Sequence, residues 1–108
     1  MDELTSLEAV ILAAIADRAR YGYELVQRVA ELTDDRVALR PGNLYRILHR
    51  LCERGLAREL ADPASAEDER RRYYKATAKG KRAAAEQLSM HARVLQRAPA
   101  LQDLLADG

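Results

Sequence analysis

The 108-residue sequence predicts a mainly α-helical fold carrying one small β-hairpin wing, and three observations predict it. Apolar residues recur at three- and four-residue intervals through several stretches, the period of a helix that buries one face. Near the middle the period drops to two. Leu56, Arg58 and Leu60 alternate with Ala57, Glu59 and Ala61, and after a polar turn Arg72, Tyr74 and Ala76 alternate with Arg71, Tyr73 and Lys75, the mark of two paired strands. Apolar types make up 48 % of the chain against only 5 Gly and 3 Pro, the profile of a compact helical protein rather than a disordered one.

Taken in order, Thr5 or Ser6 caps a first helix with Glu8 in its first turn, and Leu7, Val10, Ile11, Ala14 and Ile15 carry it to about Arg18. Tyr21-Gly22-Tyr23 breaks that pattern. A second helix, set by Leu25, Val26, Val29 and Leu32, ends near Thr33, and Asp34-Asp35 turns the chain. The run Val37-Ala38-Leu39 is expected to form a small strand that joins the hairpin as its third member. Pro41 suits the first position of a third helix, where its missing N–H would lack a partner anyway, and Gly55 suits a left-handed stop. Steps of about 100° per residue put Leu44, Ile47, Leu48 and Leu51 on one arc and Arg46, His49, Arg50 and Glu53 on the opposite one. One arc seeks a core; the other is polar and mostly basic.

The hairpin follows. Its turn holds the acidic triplet Glu67-Asp68-Glu69, which phosphates would repel, so the tip is expected to bend away while Arg70, Arg71 and Arg72 at its base make the contacts. Tyr73 and Tyr74 point to opposite faces, and Ala76 on the same face favours Tyr74 as the packed one. Thr77 caps a last long helix of good helix formers that Pro99 stops. Ala84, Leu88, Ala92 and Leu95 draw a narrow apolar stripe along it, and Leu101, Leu104 and Leu105 form a short amphipathic segment expected to fold back on that seam.

Helix, helix, short strand, helix and two-stranded wing is the order of a winged helix-turn-helix. A helix of roughly 14 residues is about 21 Å long and narrow enough for the DNA major groove. The expected organisation is a DNA-binding domain over residues 1–77 and a C-terminal dimerisation helix and tail over residues 78–108. Charge supports it. Formal net charge is only +1, but residues 36–82 hold 13 Lys/Arg against 6 Asp/Glu and the remainder 5 against 11, so positive charge is gathered on the proposed DNA-reading unit.

Three pieces of the chain resemble PadR-type transcriptional regulators, in that family's order. Tyr21-Gly22-Tyr23-Glu24-Leu25 matches the start of its second helix. Gly42-Asn43-Leu44-Tyr45, continuing through Ile47-Leu48-His49-Arg50-Leu51 to Glu53-Arg54-Gly55-Leu56, is similar to its recognition helix, and Arg71-Arg72-Tyr73-Tyr74-Lys75-Ala76-Thr77 with Gly80-Lys81 resembles its wing strand. Arg46 departs from the family's usual proline and Ala76 from its usual larger apolar residue. The resemblance implies a homodimeric regulator, a repressor, on an inverted-repeat operator, with a small apolar or aromatic effector near the dimer interface. Two-fold symmetry would set the two recognition helices about 34 Å apart in successive major grooves.

The candidate DNA contacts are Tyr23, Asn43, Tyr45, Arg46, His49, Arg50, Arg70, Arg71, Arg72 and Lys75. Arginine can give two donors to a guanine edge, asparagine can meet an adenine edge or a phosphate, and histidine can donate to either kind of acceptor. Tyr45 and Tyr23 serve equally as packed aromatics or as phosphate donors, and the wing cations equally protect an exposed strand edge. The candidate dimer residues are Leu7, Ile11, Leu88, Ala92 and Leu95. A winged-helix module that binds an acidic protein is the alternative reading.

Other classes find little support. One cysteine, Cys52, rules out an intramolecular disulfide and suits a reducing compartment, and at its position beside the apolar arc it is expected to be half-buried and inert. Cys52 with two histidines does not make the usual four-ligand zinc site, no phosphate loop or nucleophile motif occurs, and no cofactor is expected. No stretch approaches the roughly 20 apolar residues of a membrane span and Met1-Asp2-Glu3 lacks the basic start of a signal peptide, so a cytoplasmic protein is expected.

Overall fold

The computed structural model describes residues 3–61 and 72–106. Helix α1 (Ser6–Ala14) leads to a short strand β1 (Arg20–Tyr21), then α2 (Gly22–Leu32) and α3 (Pro41–Glu53). Strands β2 (Ala57–Ala61) and β3 (Arg72–Ala76) form the wing, and α4 (Ala78–Gln96) and α5 (Pro99–Ala106) end the chain. The three strands are antiparallel in the order β1-β3-β2. This is the mainly helical winged helix-turn-helix that the sequence predicts.

Each helix starts and stops for a local reason. Thr5 and Glu8 form a reciprocal capping box, Glu8 N donating to Thr5 Oγ1 at 3.1 Å and Thr5 N to Glu8 Oε1 at 2.8 Å. The other oxygen of Glu8 meets Arg54 at 3.5 Å, so the first turn of α1 is tied to the end of α3. Gly55, at φ 74°, closes α3 with two bonds: its own N–H reaches Cys52 O at 3.0 Å and that of Leu56 reaches Leu51 O at 2.9 Å. Those are the two bonds of a Schellman stop, and buried Leu51 and Leu56 supply its apolar contact. The same stop ends α2, but with Asp34 and Asp35 at φ 52° and 62° in place of glycine. Thr33 holds that turn, donating to Val29 O at 2.8 Å and accepting from Val37 N at 3.2 Å.

Two elements differ from the sequence expectation. The third strand is Arg20–Tyr21, not residues 37–39, which form no strand; Arg20 pairs with Tyr74 and Tyr21 with Tyr73. Leu39 is instead a buried anchor for the loop into α3. The first helix also stops at Ala14, four residues short of Arg18, because the chain must swing out to β3. Buried Arg20 secures the swing by donating to Ala14 O and, at 2.6 Å, to the Asp17 carboxylate.

One core joins α1, α2, α3, the base of the wing and the start of α4, with Ile11, Leu12, Leu25, Leu44, Leu48 and Leu51 fully enclosed. Burying each of these side chains stabilises the fold by about 1.5–3 kcal/mol. Thr77 caps α4 by accepting from Gly80 N, and its hydroxyl donates to Gly55 O at 2.7 Å. Gly80 then crosses so close to the Gly55-Leu56 stop that a Cβ there would lie 1.9 Å from Leu56 O, which requires glycine. The first half of α4 lies along α1, with Ala84 buried and Gln87 donating to Leu4 O at 3.0 Å. From Leu88 onward the packing changes: Leu88, Met90, Val94 and Leu95 are exposed, and the leucines of α5 stay exposed rather than covering that stripe.

Candidate nucleic-acid interface

The two arcs of α3 fall as their spacing requires. Leu44, Ile47, Leu48 and Leu51 are buried in the core, and that burial turns Arg46, His49 and Arg50 to the outside. Arg46 is held in place there, its Nη2 donating to Asn43 Oδ1 at 2.6 Å one turn back along the helix. His49 Nε2 lies 3.4 Å from Glu53 Oε1, while Arg50 has no ion-pair partner among the described residues.

Tyr45 sits where the recognition helix meets its neighbours. Its ring lies 6.4 Å from that of Tyr74 on β3, and its hydroxyl occupies the space a side chain on Gly22 would fill, since a Cβ there would be 2.3 Å away. The ring is therefore packed while 45 % of the residue remains exposed. Tyr23 is more open, and its hydroxyl accepts a bond from Gln27 at 3.0 Å. Between these two tyrosines, Val26, Leu39 and Leu44 line an apolar cleft of about 250 Å³ at the junction of α2 and α3.

The wing presents two chemically different faces. Register sets Glu59 opposite Tyr74 and Ala61 opposite Arg72, so Glu59 and Arg72 share the face whose base, Ala57, Tyr74 and Ala76, packs into the core. Arg72 donates to the Glu59 carboxylate there. That hydrogen bond raises the Arg72 pKa further, and the same carboxylate adds to burial in raising the Tyr74 hydroxyl and the Cys52 thiol. Cys52 is half-buried, as the sequence suggests, and its thiol is pushed toward the neutral form. On the opposite face Arg58 stands directly across from Lys75, two cations with no ion pair between them and any acid among the described residues.

The structure thus gathers Asn43, Arg46, His49 and Arg50 on one helix face, but it places Arg72 and Lys75 on opposite faces of the wing. Arg70, Arg71 and the acidic tip Glu67-Asp68-Glu69 lie outside the described residues. Arg58 is a contact candidate that sequence reasoning passed over. Its period-two position was legible, but its pairing with Lys75 depends on a register that alternation alone does not fix. Ile11 needs correction, because it has no accessible surface and belongs to the core of its own chain, leaving half-buried Leu7 as the member of that pair near the surface. Leu88, Ala92 and Leu95 are exposed. Among the described residues no three His, Cys, Asp or Glu side chains gather as metal ligands, and no helix is long and apolar enough to cross a membrane.

Residues 11–86 match the model of the transcriptional regulator PadR-like family, well over half of the chain. Three solved structures are similar in fold. A transcriptional regulator from Clostridium thermocellum aligns over 87 % of this chain and 90 % of its own with a TM-score of 0.72 at 21 % identity. A PadR-like transcription factor from Bacteroides fragilis aligns over 88 % of each chain with a TM-score of 0.71 at 24 % identity. The Bordetella bronchiseptica regulator BpsR, whose DNA binding is regulated by 6-hydroxynicotinic acid, covers 96 % of this chain and 75 % of its own at 22 % identity and a TM-score of 0.69.

Proposed function

We propose a DNA-binding function from a plain premise: the chain belongs to the PadR-like family of transcriptional regulators, not to a family of enzymes. In this reading it is a sequence-specific regulator that works in the cytoplasm as a homodimer and represses by occupying an inverted-repeat operator. The observation that carries it is the division of α3, whose apolar arc is buried while Arg46, His49 and Arg50 stand clear beside a cationic wing. Residues 1–77 supply the grip and residues 78–108 the pairing, through the exposed stripe of Leu88, Ala92 and Leu95. Arg46, His49 and Arg50 read base edges, Asn43 positions Arg46, and Arg70, Arg71, Arg72 and Lys75 meet phosphates. Tyr23 and Tyr45 approach the backbone from the start of their helices.

An effector belongs to the same reading, seated between α2 and α3 rather than near the dimer interface where the family resemblance would put it. The DNA binding of the Bordetella protein answers to a small aromatic acid, and here the α2–α3 cleft offers apolar space for a single ring beside Tyr23 and Tyr45. A molecule seated there would favour one angle between the two helices over another, and so shift the population that fits DNA.

The test is a titration of duplex carrying the genomically footprinted site against random duplex at several salt concentrations. Neutralising about 6–10 phosphates should cost roughly 10³–10⁵ in affinity between about 50 and 200 mM salt, with the preference for the site surviving. Arg46→Ala should relax discrimination by about 1–3 kcal/mol, whereas Lys75→Ala should weaken both duplexes alike. Binding without any site preference would favour a protein-interaction module instead.

A further inference from the structure

The wing's two faces differ in one respect that charge counting hides. On the outer face Arg58 and Lys75 confront each other with no acid among the described residues to neutralise them, but on the face that packs against the core Arg72 already has a carboxylate partner. We propose that Glu59 is an internal stand-in for a DNA phosphate: it occupies the Arg72 guanidinium in the free protein and must yield it when the wing meets the duplex, thereby limiting how tightly the wing holds any sequence.

The placement supports this reading in three ways. Glu59 and Arg72 are diagonal neighbours across β2 and β3, close enough for a long side chain to bridge, and both are exposed, so a phosphate can reach the guanidinium once the carboxylate lets go. A carboxylate and a phosphate offer a guanidinium the same paired oxygen acceptors, so one replaces the other without a change in arginine geometry. The partners of the other candidate contacts are weaker competitors. Asn43 holds Arg46 through a neutral amide, and Glu53 faces a histidine that carries charge only when protonated. Glu59 alone among the described residues sets a full negative charge on a permanently charged candidate contact.

The physical consequence is a trade. When a phosphate takes Arg72, the gain is the difference between two charge-assisted contacts rather than the whole of one, and the released Glu59 then faces a polyanion. The displaced carboxylate gathers a cation from solution, which offsets one of the counterions that the DNA gives up. Affinity for every sequence is lowered together, and the salt dependence is shallower than the number of cations implies. Discrimination is left to α3. The result favours release from random sites, which depends on the backbone contacts alone.

This inference rests on the DNA-binding reading above, and its test separates the two. Labelled random-sequence and footprinted duplexes are each titrated with the wild type, Glu59→Gln, Arg72→Gln and the double variant at salt from about 50 to 200 mM. Glu59→Gln should bind random and footprinted duplex more tightly by the same factor, on the order of 3- to 10-fold, with the slope of log affinity against log salt steeper by about one unit. In the Arg72→Gln background the Glu59→Gln gain should vanish, because no guanidinium is left to release. An equal gain in both backgrounds would overturn the proposal, since Glu59 would then act only as a repulsive charge. So would an unchanged affinity for Glu59→Gln when the wild type binds duplex well. Failure of the wild type to bind either duplex would remove the function itself and this inference with it.

Discussion

The body of this molecule and its C-terminal arm are built from the same kind of helix, yet they end in opposite conditions. In α1 and α3 every apolar stripe finds cover: Ile11, Leu12, Leu48 and Leu51 are enclosed by other parts of the same chain. Along α4 that cover runs out between Ala84, which is buried, and Leu88, which is 36 % exposed, and α5 leaves Leu104 at 69 %. Amphipathic spacing therefore says that a helix has an inward face, but not whose inside it faces. In the body the answer is this chain. On the arm, the proposed second copy would supply it, since several exposed large side chains on one element exceed the scattered single apolar residues usual on a monomer.

The enclosed core of the body should be the most sensitive to truncation. Leu12→Ala removes a fully enclosed side chain from α1 and should cost about 2–5 kcal/mol in a denaturant titration, the same at every protein concentration. A cost below about 1 kcal/mol would mean that the core closes over the gap, and the contrast with the arm would lose its basis.

On the arm the expectation is reversed. Leu88→Asp with Leu95→Asp should leave the folded body unchanged in circular dichroism and weaken self-association by about 100-fold or more, equivalent to about 2.8 kcal/mol, as read by sedimentation. Operator affinity should fall with it, because two half-sites are no longer engaged together. A dimer of unchanged strength would move the interface elsewhere, with half-buried Leu7 on α1 the next surface to examine.

The same contrast explains what was legible in the sequence. The two arcs of α3, its Pro41 start and its Gly55-Leu56 stop are local features, each settled by residues within a turn or two of one another. Tyr74 as the packed ring follows from period two alone, given Ala76 on its face. The third strand did not show because Arg20–Tyr21 is two residues long and owes its existence to β3, which lies two helices further along the chain. Residues 37–39 looked more like a strand, but Leu39 is buried as a loop anchor and needs no strand pairing. Ile11 illustrates the same point as the arm: its periodicity promises burial without naming the partner, and the partner is its own core. The division of the wing cations, Arg72 beside Glu59 and Lys75 across from Arg58, required the register, which is a tertiary fact.

A weaker contrast lies where the body turns its first corner. Between α1 and β1, the Arg20 guanidinium hydrogen-bonds Asp17 and holds its carboxyl at about 2, below the ordinary aspartate value of 3.8, whereas no comparable ion pair is found among the described residues of the arm. A carboxyl whose pKa is lower in the folded than in the unfolded chain stabilises the fold only while it is ionised. That contribution is fully present above about pH 4 and fades as pH falls through about 2. Asp17→Asn should therefore melt slightly below the wild type at neutral pH, and the gap between the two should close on acidification to about pH 2. Because Asp17 is exposed, water screens the pair and the shift should be small, and self-association through the arm should not follow it. A gap that persists unchanged at the acid end would mean that Asp17 acts by shaping the turn rather than by its charge.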